Sequence, residues 1–130
     1  MARFLIIDDD ADIGQIVQMI LELNGHEAAV STDAETGVKI QTARPADILI
    51  TDIFLPEKDG LEIIRQFQEK FPEVSIIAMS GGGETLRSLT YLSSAREIGA
   101  VHVIRKPFEK EALLAVVNDV LDSRARAAER

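Results

Sequence analysis

The chain has no cysteine among its 130 residues. That absence removes disulfide frameworks, thiolate metal sites and cysteine nucleophiles together, and it suits a reducing compartment. Histidine is nearly as scarce: His26 and His102 stand far apart, too few donors for a zinc site. Long hydrophobic runs are missing as well. The opening MARFLIIDDD has only four apolar residues after Arg3 before acids interrupt it. This is too short for a signal-peptide core or a membrane span, so a cytoplasmic location without membrane contact is expected. Basic residues are in deficit, 14 against 22 acids for a formal charge of −8, and no direct contact with nucleic acid is expected. The arginines of the final SRARAAER are a local exception and read as a solvated helix end.

What the chain does have is an ordinary globular composition, 46% apolar and 28% charged, at a length that suits one domain with its own core. Arg3 to Ile7 is a short apolar run stopped by acids, a strand buried on both faces. Ile13, Ile16, Val17 and Ile20 then fall at i, i+3, i+4 and i+7, a helical stripe facing the core, with Asp10 or Asp12 as its cap and Asn24-Gly25 as its end. Glu27 to Ser31 is a weaker strand, and TDAE (32–35) opens a second helix to about Ala43 in a capping-box pattern. Asp47 to Asp52 is a third strand, followed by a loop from Phe54 to Gly60. Leu61, Ile64, Phe67 and Phe71 mark a third helix that stops at Pro72. Val74 to Met79 is a fourth strand running into Ser80 and three glycines, and Leu86, Leu89, Leu92 and Ala95 suggest a fourth helix closed by Gly99. Val101 to Ile104 is the last strand, and Leu113, Val116, Val117, Val120 and Leu121 make a fifth amphipathic helix. Five strands alternating with five helices imply an α/β fold with a parallel sheet and helices on both faces.

In such sheets ligands bind beyond the carboxyl ends of the strands, where strand order reverses. Asp8 and Asp9 follow the first strand and Asp52 ends the third. Three carboxylates at one edge raise one another's pKa unless a cation compensates them, and an all-oxygen site suits Mg²⁺. Each acid alone is more simply a turn or cap residue. Their joint occurrence with Ser80 after the fourth strand and Lys106 after the fifth favours a functional rim.

The segments LIIDDD, ILITDIFLPEKDG, IIAMSGG and GAVHVIRKPF together resemble the receiver domain of response regulators, over residues 1 to about 122. The resemblance implies a flavodoxin-like, doubly wound sheet in the order 2-1-3-4-5, with residues 123–130 as a short arginine-containing tail. It implies Asp52 as nucleophile and phosphoacceptor. It also implies Mg²⁺ held by Asp9 and Asp52 and by the main-chain carbonyl of Phe54, with Asp8 acting mainly through water. Ser80 would hydrogen-bond a phosphoryl oxygen and Lys106 would pair with the phosphoryl group, aimed by a typically cis bond to Pro107. The implied protein is no enzyme in the usual sense but a single-domain switch that assists its own phosphorylation and dephosphorylation. Its implied partners are a sensor histidine kinase or phosphotransfer protein and a downstream protein the sequence does not name. A monomer or weak phosphorylation-dependent dimer is expected.

Two features depart from the family pattern. Val103 stands three residues before the lysine, where receivers usually carry Tyr or Phe, so the usual coupling between hydroxyl residue and aromatic lacks its aromatic half. The stretch from Ser80 to Gly99, with Gly81-Gly82-Gly83, is about four residues longer than usual and reads as a gate or as a simple flexible turn. Phe54, two residues after the nucleophile, is expected to influence phosphoryl lifetime. The alternatives are a receiver fold that takes no phosphate and serves only as an interaction module, and a phosphatase of the haloacid-dehalogenase type. The latter wants a second acid where this chain has Phe54.

Overall fold

A computed structural model describes residues 2–53, 60–80 and 102–128. Among these, five strands and four helices follow one another as β1 (Arg3–Ile7), α1 (Ala11–Leu23), β2 (Glu27–Ser31), α2 (Ala34–Ala43), β3 (Ile48–Asp52), α3 (Gly60–Lys70), β4 (Ser75–Ser80), β5 (His102–Arg105) and α4 (Lys110–Ala128). The strands form one parallel sheet in the order β2-β1-β3-β4-β5, the flavodoxin-like arrangement expected from the resemblance. The fourth helix expected from Leu86 to Ala95, the Gly81–Gly83 run and Phe54 lie outside the described residues. None of the described helices is long and apolar enough to cross a membrane.

The alternation of side chains along each strand divides the core into two layers. Phe4, Ile6, Ile48, Ile50, Ile77, Met79 and Ile104 meet Val17 and Leu21 of α1 and Leu113, Val117 and Val120 of α4. On the opposite face, Leu5, Ile7, Leu49, Ile76 and Ala78 meet Ala34 of α2 and Ile63, Ile64 and Phe67 of α3. Val103 packs into this second layer, half-buried. A sheet covered on both faces needs apolar residues at consecutive positions, which is why β1 and β3 read as unbroken runs.

Three details differ from the sequence reading. Ile16 is 51% exposed rather than inward, because the buried line of α1 runs through Gly14, Val17 and Leu21 and leaves Ile16 about 100° round the helix. The cap of α2 is Asp33, one residue after the Thr32 that a capping box would use. Its carboxylate accepts from Thr36 N–H (2.7 Å) and Thr36 Oγ1 (2.9 Å). Those bonds favour the ionised form and pull the Asp33 carboxyl below its ordinary value. Finally, the arginine-rich segment is not wholly solvated. α4 continues to Ala128, and Arg124 Nη1 donates to Glu73 O and Ser75 Oγ, both at 2.9 Å. Asp10 is the cap of α1, accepting from Asp12 N–H and Ile13 N–H.

Gly14 sets how closely α1 lies on the sheet, since a Cβ there would stand 2.7 Å from Val30 Cγ1. Val is stiff at χ1, so the clash is not relieved by a rotamer change. Gly14→Ala gains about 1 kcal/mol of helix propensity and loses about 1–3 kcal/mol to overpacking. The expected net result is a lower urea midpoint, recovered when Val30→Ala is added.

His26 carries a pH dependence. Its Nδ1 accepts from Ala2 N–H at 3.2 Å, and its ring meets Phe4 edge to face at 5.2 Å. Burial lowers its pKa below the ordinary 6.5, and protonation of Nδ1 would remove the acceptor. With a folded pKa below the unfolded one, the contribution is complete above the unfolded value of 6.5 and is lost as pH falls from there through the lower folded value. Stability measured by urea titration is expected to fall as pH is lowered from about 8 to below the ordinary histidine range. The slope should flatten in His26→Gln; equal slopes would remove His26 as the cause.

Candidate functional site

The sheet delivers its polar residues to one rim. β1 runs directly into Asp8, whose main-chain N–H is tied to Ser31 O at 3.0 Å, so the turn into α1 begins as the apolar run ends. β3 is in register with β1 and ends in Asp52, opposite Met79 of β4. Ser80 is therefore one residue further along the neighbouring strand, and it is buried. Lys106 follows β5 and is anchored there by its N–H bond to Ser80 O at 2.8 Å. The Lys106-Pro107 peptide bond is cis.

Carboxylate oxygens of Asp8, Asp9 and Asp52 lie within 4.8 Å of one another. Asp8 is fully buried and Asp52 is 4% exposed, whereas Asp9 faces solvent. Lys106 Nζ lies between the two buried acids, 2.6 Å from Asp8 Oδ2 and 2.7 Å from Asp52 Oδ2. Asp10 N–H donates to the other oxygen of Asp8, Oδ1, at 2.9 Å. Burial pushes the Asp8 carboxyl up, and the bonds from Lys106 and Asp10 oppose but do not cancel that effect. Burial works against the Lys106 ammonium, yet its hydrogen bonds to Asp52 and Asp8 outweigh the penalty and hold its pKa above the ordinary value.

Of the residues expected at the site, the structure thus brings Asp8, Asp9, Asp52 and Lys106 together and sets Ser80 on the strand beside Asp52. The main-chain carbonyl of Phe54 lies outside the described residues. Asp10 has a part the sequence reading missed, because its contribution to the site is a main-chain N–H. The third acid of the DDD run signalled only a helix cap.

The donor set fits a hard divalent cation. All its ligating atoms are oxygens, and three carboxylates against one ammonium leave two negative charges in surplus when all are ionised. The exposed Asp9 gives such an ion a solvent-facing side on which to keep waters.

A 2-1-3-4-5 parallel sheet with paired acids after β1, an aspartate at the end of β3 and a lysine after β5 is the architecture of a phosphoacceptor module. A family model, the response regulator receiver domain, matches residues 4–118, and the chain belongs to that family, within two-component signalling. It is 30% identical over 122 residues to the DNA-binding transcriptional regulator NtrC of Azospirillum brasilense, an alignment covering 94% of this chain and 24% of that protein. With the response regulator ArlR of Staphylococcus epidermidis it shares 31% identity over 121 residues, covering 93% of this chain and 53% of ArlR. The chain thus spans from about a quarter to about half of the length of these curated relatives. The crystal structure of a response regulator receiver domain protein from Clostridium thermocellum superposes with a TM-score of 0.86 at 27% identity, covering 98% of this chain and 99% of that one.

Proposed function

We propose that the chain is a phosphorylatable switch that accepts a phosphoryl group on Asp52 and passes on its state through protein–protein contact. The observation that carries this reading is the buried Asp8–Lys106–Asp52 bridge at the carboxyl ends of the strands. The donor is a phosphohistidine of a sensor kinase or phosphotransfer protein. An oxygen of Asp52 attacks phosphorus as the bond to the histidine nitrogen breaks, leaving an acyl phosphate on Asp52 and the electron pair on the imidazole. Lys106 sets a positive charge against the phosphoryl oxygens as negative charge shifts onto them, and Ser80 offers its hydroxyl to one of them. Asp9 and Asp52 would hold Mg²⁺ with the main-chain carbonyl of Phe54, and Asp8 would act mainly through water. When bound, the ion supplies charge neutralisation at the phosphoryl oxygens for both attack and later hydrolysis.

The test is incubation with Mg²⁺ and a small acyl-phosphate donor, followed by intact-mass measurement, with beryllofluoride as the non-covalent counterpart. One phosphoryl increment is expected. No adduct and no beryllofluoride response would favour the second reading, an interaction module that takes no phosphate. Val103 is the observation that points that way, since a half-buried aliphatic side chain cannot swing as an aromatic does when the hydroxyl residue moves.

A further inference from the structure

The family match ends at residue 118, yet α4 runs on to Ala128. Leu121 still packs against the core, whereas Asp122, Ser123, Ala125, Arg126, Ala127 and Ala128 are all exposed. Most helical stability in proteins comes from packing, so a helix end without tertiary contacts frays. Arg124 supplies the contact. Its Nη1 donates to Glu73 O and to Ser75 Oγ, both at 2.9 Å, and its Nη2 stands 3.9 Å from Asp47 Oδ1. Among the described residues, no other side chain beyond Leu121 bonds to the rest of the domain. The groups that receive Arg124 are themselves laced together. Asp47 Oδ2 accepts from Arg3 N–H at 2.9 Å, and Ser75 N–H donates to Asp47 O at 3.0 Å. The guanidinium therefore lands where β1, β3 and β4 begin, at the end of the sheet opposite the acidic rim. With Phe71, Pro72 and Val74 it lines a cavity of about 350 Å³ there.

We infer that residues 122–128 form an arm latched to the domain by Arg124, and that releasing this one side chain frees the arm while the sheet and its two core layers stay folded. The acceptors suit a releasable hold. Glu73 O and Ser75 Oγ are neutral, and the carboxylate in reach, Asp47, is half-exposed and so screened by solvent. With the latch open, the cavity at the foot of the sheet loses its Arg124 wall and opens on that side. The latch does not depend on whether Asp52 takes a phosphoryl group.

The experiment is hydrogen exchange read by peptide mass in the native protein, Arg124→Met, Ser75→Ala, the double variant and Arg126→Met. Methionine matches arginine in helix propensity, so a change is assigned to the lost bonds. Arg124→Met is expected to speed exchange of the amides of residues 122–128 at least about tenfold, while those of β1 and β3 keep their native rates. Arg126 is exposed on the same stretch, and Arg126→Met should behave as native. Ser75→Ala removes one acceptor and should speed the arm less, with the double variant no faster than Arg124→Met, because the two residues share a bond. Unchanged arm exchange in Arg124→Met would overturn the latch. So would equal speeding in Arg126→Met, which would trace the effect to the charge of the arm. Equal speeding in β1 and β3 would show that the arm opens only with the whole domain, and additive effects in the double variant would show that Arg124 and Ser75 act apart; either result overturns the latch. Failure of Arg124→Met to fold would overturn it as well, since the domain is expected to stand without the latch, and Ser75→Ala would then show whether the arm responds at all.

Discussion

Replacing Asp52 with Asn is expected to abolish the phosphoryl adduct completely while leaving the fold in place. A carboxamide nitrogen and oxygen are too weakly nucleophilic to attack phosphorus in place of a carboxylate. The neighbouring acids do not substitute for it. Asp8 has both oxygens engaged and no exposed surface, and Asp9 lies at the open edge without the ammonium contact that Asp8 and Asp52 share. The stability cost is modest for a buried charged position. Removing one partner of a buried ion pair ordinarily costs about 3–5 kcal/mol because a charge is left alone. Here Lys106 keeps Asp8 at 2.6 Å, and the repulsion between the two carboxylates is relieved at the same time. A net change within about 1 kcal/mol is expected, a shift of only a few degrees in the melting temperature of a domain this size. Intact-mass measurement beside a thermal melt checks both halves. An adduct of native yield on folded Asp52→Asn would show that another group is the acceptor.

The parts of this fold that were legible in the sequence are those governed by period and punctuation. β1 and β3 declared themselves because a strand covered on both faces must be apolar at every position, and acids stop each run where the sheet meets solvent. The phase of α1 was less legible. Gly14 is buried, yet glycine carries no hydrophobic signal, so the reading took Ile16 as part of the inward face and lost the true centre of the stripe. Arg124 was illegible for another reason. Its partners Glu73 and Ser75 lie about fifty residues earlier, and nothing local distinguishes a bonded arginine from a solvated one. At the site, Asp8, Asp9, Asp52, Ser80 and Lys106 could be named because each stands at or just after the end of a strand. What could not be read was that Lys106 bridges Asp8 and Asp52. That bond spans 98 residues to Asp8 and depends on β5 lying two strands away from β3.

The Lys106→Met variant is expected to lose about 10²–10³-fold in the rate of phosphorylation by a small acyl-phosphate donor. The argument is one of charge timing. In a loose, in-line transfer, negative charge accumulates on the phosphoryl oxygens and the leaving group, and a prepositioned ammonium lowers the energy of that arrangement without reorganising water. Methionine keeps the length and packing of the stem and removes only the charge, so the loss is assigned to electrostatics rather than to a cavity. Stability should change as well, in a way that separates the two roles of the residue. Without Lys106, Asp8 and Asp52 face each other with no cation between them, and the variant should melt below the native protein by about 3 kcal/mol at neutral pH in the presence of a chelator. Added Mg²⁺ should recover most of that deficit, because a divalent ion then does the neutralising, but it should not recover the rate. The divergence is the discriminating result. A rate within about threefold of native at saturating Mg²⁺ would mean that Lys106 neutralises the resting site only and takes no part in the transfer.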